Sequence, residues 1–279
     1  MTSNFQRNFS QTQGQGQGVS LDKLSSFENL NMRISSANNV VDLLDIYEQN
    51  SIVFKNEHLV QCLRTISKLV KSSQATQNEA FQQDKRYHEL IKKVSENLNE
   101  FNENELMDLL FWVRRFRTMR INIHFDEENV DKICAKTLEF AKAKAYSFRN
   151  LIHLFYNTSF LNRSTDEIVL EILKAMRNQE KNKENLLTPN MVTEILQSCA
   201  RPDKFISNKE YILVEHIIKN INPVLNEASI ESKALIFKYL ASMELHLSPP
   251  KFKAPYILHV IKASLKDNIE SLLENDVLN

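Results

Sequence analysis

From Val19 to Asn279 the chain contains no glycine; its only three, Gly14, Gly16 and Gly18, sit in a QGQGQGQG string. Glycine is the residue that lets a backbone take positive φ or approach a phosphate closely. A Walker loop, a dinucleotide-binding fingerprint, a kinase-type loop and a nucleophile elbow all need glycines at fixed places. None of them is present. Tight hairpin turns depend on glycine too, so a chain that folds without it reads as helical nearly throughout.

The 279 residues allow one large domain or two smaller ones. No apolar run approaches the roughly 18 residues that span a bilayer. Lys and Arg number 35 and Asp and Glu 35, a neutral balance that favours protein contacts over wrapping nucleic acid. Cys62, Cys134 and Cys199 are isolated, without the short spacings of a metal or disulfide framework. They read as reduced, buried side chains in a reducing compartment.

Residues 1–26 form a separate tail. Its first 21 residues carry Arg7 but no acidic residue, and Phe5 and Phe9 flank that arginine. This is the acid-poor pattern of a mitochondrial transit segment, and the same composition fits a disordered polar tail. An apolar core of a secretory signal is absent from it.

Beyond Leu21 the pattern is one of apolar helical stripes separated by short polar joints, many of them marked by Asn, which caps helices and tolerates the left-handed region. The stripes predict helices over 38–50, 56–72, 79–99, 103–117, 127–144, 147–157, 165–178, 188–200, 207–221, 228–243 and 254–274. Thr188-Pro189 and Pro255 read as helix starts, and Asn222-Pro223 as a helix end. Leu109 and Val113 recur as Leu151 and Phe155, as Val192 and Leu196, and as Leu235 and Tyr239, at steps of 42, 41 and 43 residues. A second stripe follows each: Val130 and Ile133, Ile172 and Leu173, Leu213 and Ile217, Ile257 and Val260. A two-helix unit repeated about every 42 residues predicts an all-α fold, an α-solenoid of antiparallel helix pairs stacked with right-handed sense over about 27–274. Asp42-Leu43-Leu44 with Tyr47 echoes Asp108-Leu109-Leu110 with Val113. The helix at 79–99 interrupts the phase, which divides the repeats into an N-terminal segment, 27–78, and a main segment, 79–279.

The stretch from Asn99 through Phe101, Glu105 and Leu106 to Asp108-Leu109-Leu110, and its echo from Tyr146 through Phe148 to Leu151-Ile152, resembles the leucine-rich helical repeats of the FAST-kinase-like family and of octotricopeptide-type proteins. Phe27 to Leu30, Val40 to Tyr47 and His58-Leu59 have the same look. The resemblance implies a mitochondrial or chloroplast protein, and with the acid-poor tail the expectation is a mitochondrial one, on the matrix side. It implies either a helical subunit of an organellar assembly, such as a respiratory-chain complex or the mitochondrial ribosome, or an organellar RNA-binding factor.

Little in the sequence points to catalysis, and no cofactor is implied. His58 and Cys62, at i and i+4, are two metal-type ligands without a third, so core packing is the simpler account. Asp126-Glu127-Glu128 precedes a predicted helix, where carboxylates favour the N-terminal dipole. His153, on an apolar stripe, reads as interior. The densest positive charge is Arg114, Arg115, Arg117 and Arg120, continued by Lys132, Lys136, Lys142, Lys144 and Arg149. With Trp112, Phe116 and Tyr146 interleaved, these residues are the candidate contact for RNA or for partner proteins. The alternative is a solvated helix end whose arginines pair with Glu103, Glu105 or Glu128.

Overall fold

The computed structural model describes residues 29–72, 81–119, 121, 124–182, 187–201 and 206–246. The expected tail over 1–26, Arg120 and the last predicted helix, 254–274, lie outside them. After a helical segment over 29–35 come α1 (Val40–Asn50), α2 (Asn56–Ser72), α3 (Lys85–Glu96), α4 (Glu103–Thr118), α5 (Glu127–Lys142) and α6 (Phe148–Phe160). Then follow α7 (Asp166–Asn182), α8 (Pro189–Cys199), α9 (Asn208–Lys219), α10 (Ile221–Glu227) and α11 (Ile230–His246). No strand occurs among the described residues. The fold is all-α.

Polar N-caps start these helices, each satisfying backbone N–H groups that the first turn leaves open. Asn39, Asp84, Asp126, Ser147 and Thr188 each accept a bond from a first-turn N–H. Asn102 and Ser207 form full capping boxes with Glu105 and Glu210. Asp126-Glu127-Glu128 is such a start, with Glu127 and Glu128 in the first turn of α5. The stops show what replaces glycine. Lys144 (φ 60°) and Asn162 (φ 58°) take the left-handed conformation after α5 and α6. The following amides close each turn, Ala145 N to Phe140 O at 3.0 Å and Arg163 N to Thr158 O at 3.2 Å.

Extensive packing joins α1 to α3, α2 to α4, α4 to α6, α6 to α8, α5 to α7 and α7 to α9. Successive helices α4 and α5, α6 and α7, and α8 and α9 also pack together. Leu109, Leu110, Val113 and Ile133 are buried across the first of these pairs, and Leu151, Ile152, Phe155 and Ile172 across the second. Helix α3, expected to interrupt the phase, packs on both α1 and α2. Polar bonds also cross residue 78: Arg86 to Asp45, Lys93 Nζ to Ser51 O, and Asn97 Nδ2 to Asn56 Oδ1 at 3.0 Å.

Two expectations near the C-terminal end are corrected. Asn222-Pro223 does not end a helix. Helix α9 stops at Lys219, and Pro223 lies in the first turn of α10, where its missing N–H is not needed. The stripe on α11 is displaced as well: Leu235 is 39% exposed and Tyr239 only partly buried, while Ile236, Leu240 and Met243 face the core.

Candidate interaction surface

Helices α4 and α6 run side by side in the same direction, tied near both ends. Tyr146, just before α6, donates its hydroxyl to Glu103 O at 3.0 Å, and Arg114 Nε donates to Asn157 Oδ1 at 2.6 Å. Helix α8 continues the set, with Tyr156 donating to Gln197 at 3.4 Å and His153 Nδ1 lying 3.0 Å from Glu194 Oε2. On this frame half-buried side chains of α4 and α6, with Arg201 just past the end of α8, form a line of arginines and rings. The Arg114 guanidinium stands over Phe111 (5.2 Å), Tyr156 (4.9 Å) and Phe160 (5.8 Å). Arg201 stacks on the same Phe160 at 4.8 Å, and binds Ser159 O at 2.8 Å and Asn162 Oδ1 at 2.9 Å. Burial lowers the Arg114 pKa from its ordinary value. An arginine in this setting is held by ring quadrupoles and one carbonyl oxygen rather than by a carboxylate.

The expected basic residues do not form one patch. Arg114, Arg115 and Arg117 lie in the last turns of α4, and Arg117 pairs with Glu127 at 2.6 Å where α5 begins. Helix α5 then runs back for 16 residues, about 24 Å at helical rise. Lys142, Lys144 and Arg149 therefore lie near the start of α4, at the other end of the pair. Lys142 is 3.5 Å from Glu167, and Arg149 donates to His153 at 3.3 Å. Lys132 pairs with Glu128 at 2.7 Å and Lys136 donates to Asn99 O at 3.0 Å. Arg115 stacks over Trp112 at 5.8 Å.

The interleaved aromatics lie on the wrong side for a ligand. Trp112, Phe116 and Tyr146 are buried in the core. The rings beside Arg114 that are half-buried are Phe111, Tyr156 and Phe160, which the stripe pattern did not single out. Their signal was the offset itself, since Arg114 and Tyr156 are 42 residues apart and Phe160 and Arg201 41.

His58 and Cys62, both on α2, are buried in the protein interior. The His58 ring accepts from Lys55 N at 3.0 Å through Nδ1, and burial pushes the Cys62 thiol pKa far up. Among the described residues no group of three or more His, Cys, Asp or Glu side chains could hold a metal ion. Nor is any helix among them long and apolar enough to cross a membrane. His153 proves half-buried and polar-bonded, bridging α6 to α8 rather than filling the interior. No family model and no curated protein matches the chain.

Proposed function

We propose that this chain is a non-enzymatic helical-repeat interaction subunit of a large assembly, built as an α-solenoid of antiparallel pairs with a period of about 42 residues. The observation that carries the reading is the spacing of side-chain bonds between helices. Arg64 to Asp108 spans 44 residues, Asn97 to Asn56 41, Arg114 to Asn157 43, Tyr156 to Gln197 41, and Ser242 to Ala200 O 42. A spacing near 42 residues is what stacked two-helix units would give, each burying its apolar faces on the next. A stack of this kind exposes a long surface for its volume, and the ladder from Phe111 to Arg201 carries the arginine and aromatic types that dominate interface cores.

The acid-poor first 21 residues and the FAST-kinase-like texture favour mitochondria, on the matrix side, and there a respiratory-chain complex or the ribosome as the assembly. Sizing of the endogenous protein in a native organellar lysate tests this. It should run far above its 32.5 kDa mass; elution as a lone monomer overturns the reading.

A second reading, an organellar RNA-binding factor, rests on the ladder as well, because rings and guanidinium groups stack on unpaired bases. Affinity for single-stranded RNA that falls steeply with salt, and falls again in Arg114→Glu, would favour it.

A further inference from the structure

At the junction of the end of α5, the start of α6 and the outer face of α7 lies an open cavity of about 420 Å³. Its floor is apolar: Phe148, Leu151 and Ala175 line it, and Leu151 is buried. Its rim is cationic. Lys144, Lys174 and Arg177 stand around it, all three exposed, and among the described lining residues Glu171 is the one carboxylate. Glu171 already bonds Lys174 at 2.6 Å, and among the described residues neither Lys144 nor Arg177 has an ion-pair partner. The left-handed turn at Lys144 holds that side chain beside the cavity, because its N–H is fixed to Ala141 O at 3.1 Å.

We propose that this cavity docks a short acidic segment of a partner protein, seating one bulky apolar side chain on the floor while flanking Asp or Glu residues meet Lys144 and Arg177. The inference rests on the interaction-subunit reading and names a surface for it. The volume is at the small end for ligand pockets, roughly 300–1,000 Å³, and takes one or two side chains. Two unpaired cations beside an apolar floor are complementary to an anion attached to an apolar group, and neither feature alone selects that partner. Two separate rim cations, Lys144 and Arg177, suit a segment that carries several carboxylates around an apolar side chain better than a fatty acid, which carries one.

Fluorescence anisotropy of the full chain with a labelled Asp-Glu-Leu-Phe-Glu-Asp peptide tests the proposal. Wild type should bind it. Lys144→Glu combined with Arg177→Glu should weaken binding at least tenfold, and Ala175→Leu, which fills the floor, at least fivefold. A peptide with Ser in place of Leu and Phe should bind at least tenfold more weakly to unaltered protein, a comparison that depends on no variant's folding. No binding, equal binding of the Ser peptide, or binding unchanged by the substitutions would overturn the proposal. So would displacement of the peptide by palmitate or by a 12-nucleotide single-stranded RNA. Native sizing of wild type and of the double variant separates the two claims. If wild type runs as a monomer the subunit reading fails; if it runs large while the peptide does not bind, only this pocket fails.

Discussion

At the level of single residues, Arg114 has the most to lose. Its Nε satisfies Asn157 Oδ1, Asn157 is 3% exposed, and three rings hold its guanidinium. Arg114→Ala removes the cation–π contacts and leaves a buried amide oxygen without that donor, so it should cost about 2–3 kcal/mol in urea unfolding. Arg114→Lys should recover only part of this, because an ammonium cannot lie flat against the rings while donating sideways to Asn157. Glu127 makes a prediction of a different kind. Hydrogen bonding to Arg163, aided by Arg117, holds its pKa below the ordinary 4.5. A carboxylate with a depressed folded-state pKa contributes stability that is present above 4.5 and is lost as pH falls through the folded value. Glu127→Gln should therefore narrow the stability gap between neutral and acid solution. The two proteins should differ most near pH 7 and converge as the pH falls below 4.5 and through the lowered folded-state pKa. An unchanged gap between pH 7 and pH 3 would mean that the Arg117–Glu127–Arg163 cluster contributes nothing to acid sensitivity.

At the level of helices, starts were legible because they are local chemistry. Asn102 before Glu105, Ser207 before Glu210 and Thr188 before Pro189 are signatures that neighbours within four residues complete. Asn102→Ala, which removes the acceptor for Asn104 N and Glu105 N, should destabilise the chain by about 1 kcal/mol in chemical denaturation, with little change in helix content. Which face of a helix points outward was less legible. In α4 the run Leu109-Leu110-Phe111-Trp112-Val113 is apolar all round, so periodicity alone does not separate half-buried Phe111 from buried Trp112. Only the packing of α2, α5 and α6 around α4 decides it. The candidate site followed the same rule. Charge density marked Arg114, but two of its three ring partners, Tyr156 and Phe160, lie on α6, more than 40 residues further along. The seven-residue α10 was missed because a helix that short has no stripe to read, and missing it displaced the expected register of α11.

For the whole molecule, what matters is how far damage travels. The extensive contacts join helices one or two apart in order, except where the short α10 lets α8 reach α11. In a stack of this kind stability is close to a sum of unit and nearest-neighbour terms, and local failure need not be global. Leu109 in α4 and Ile236 in α11 are both fully buried. Replacing either by Asp buries a charge without a partner, which costs several kcal/mol at its own unit. The consequences should differ by position. Ile236→Asp strikes the last described helix, so α1 to α7 should keep native amide protection while α8 to α11 exchange quickly. Leu109→Asp strikes a unit that touches α2, α5 and α6, so protection should fall on both sides of it and unfolding should lose its single transition. Hydrogen exchange read by mass spectrometry separates these patterns. Uniform loss of protection in both variants would mean that the helices share one cooperative core, and the solenoid reading would then be wrong even though the chain is all-α.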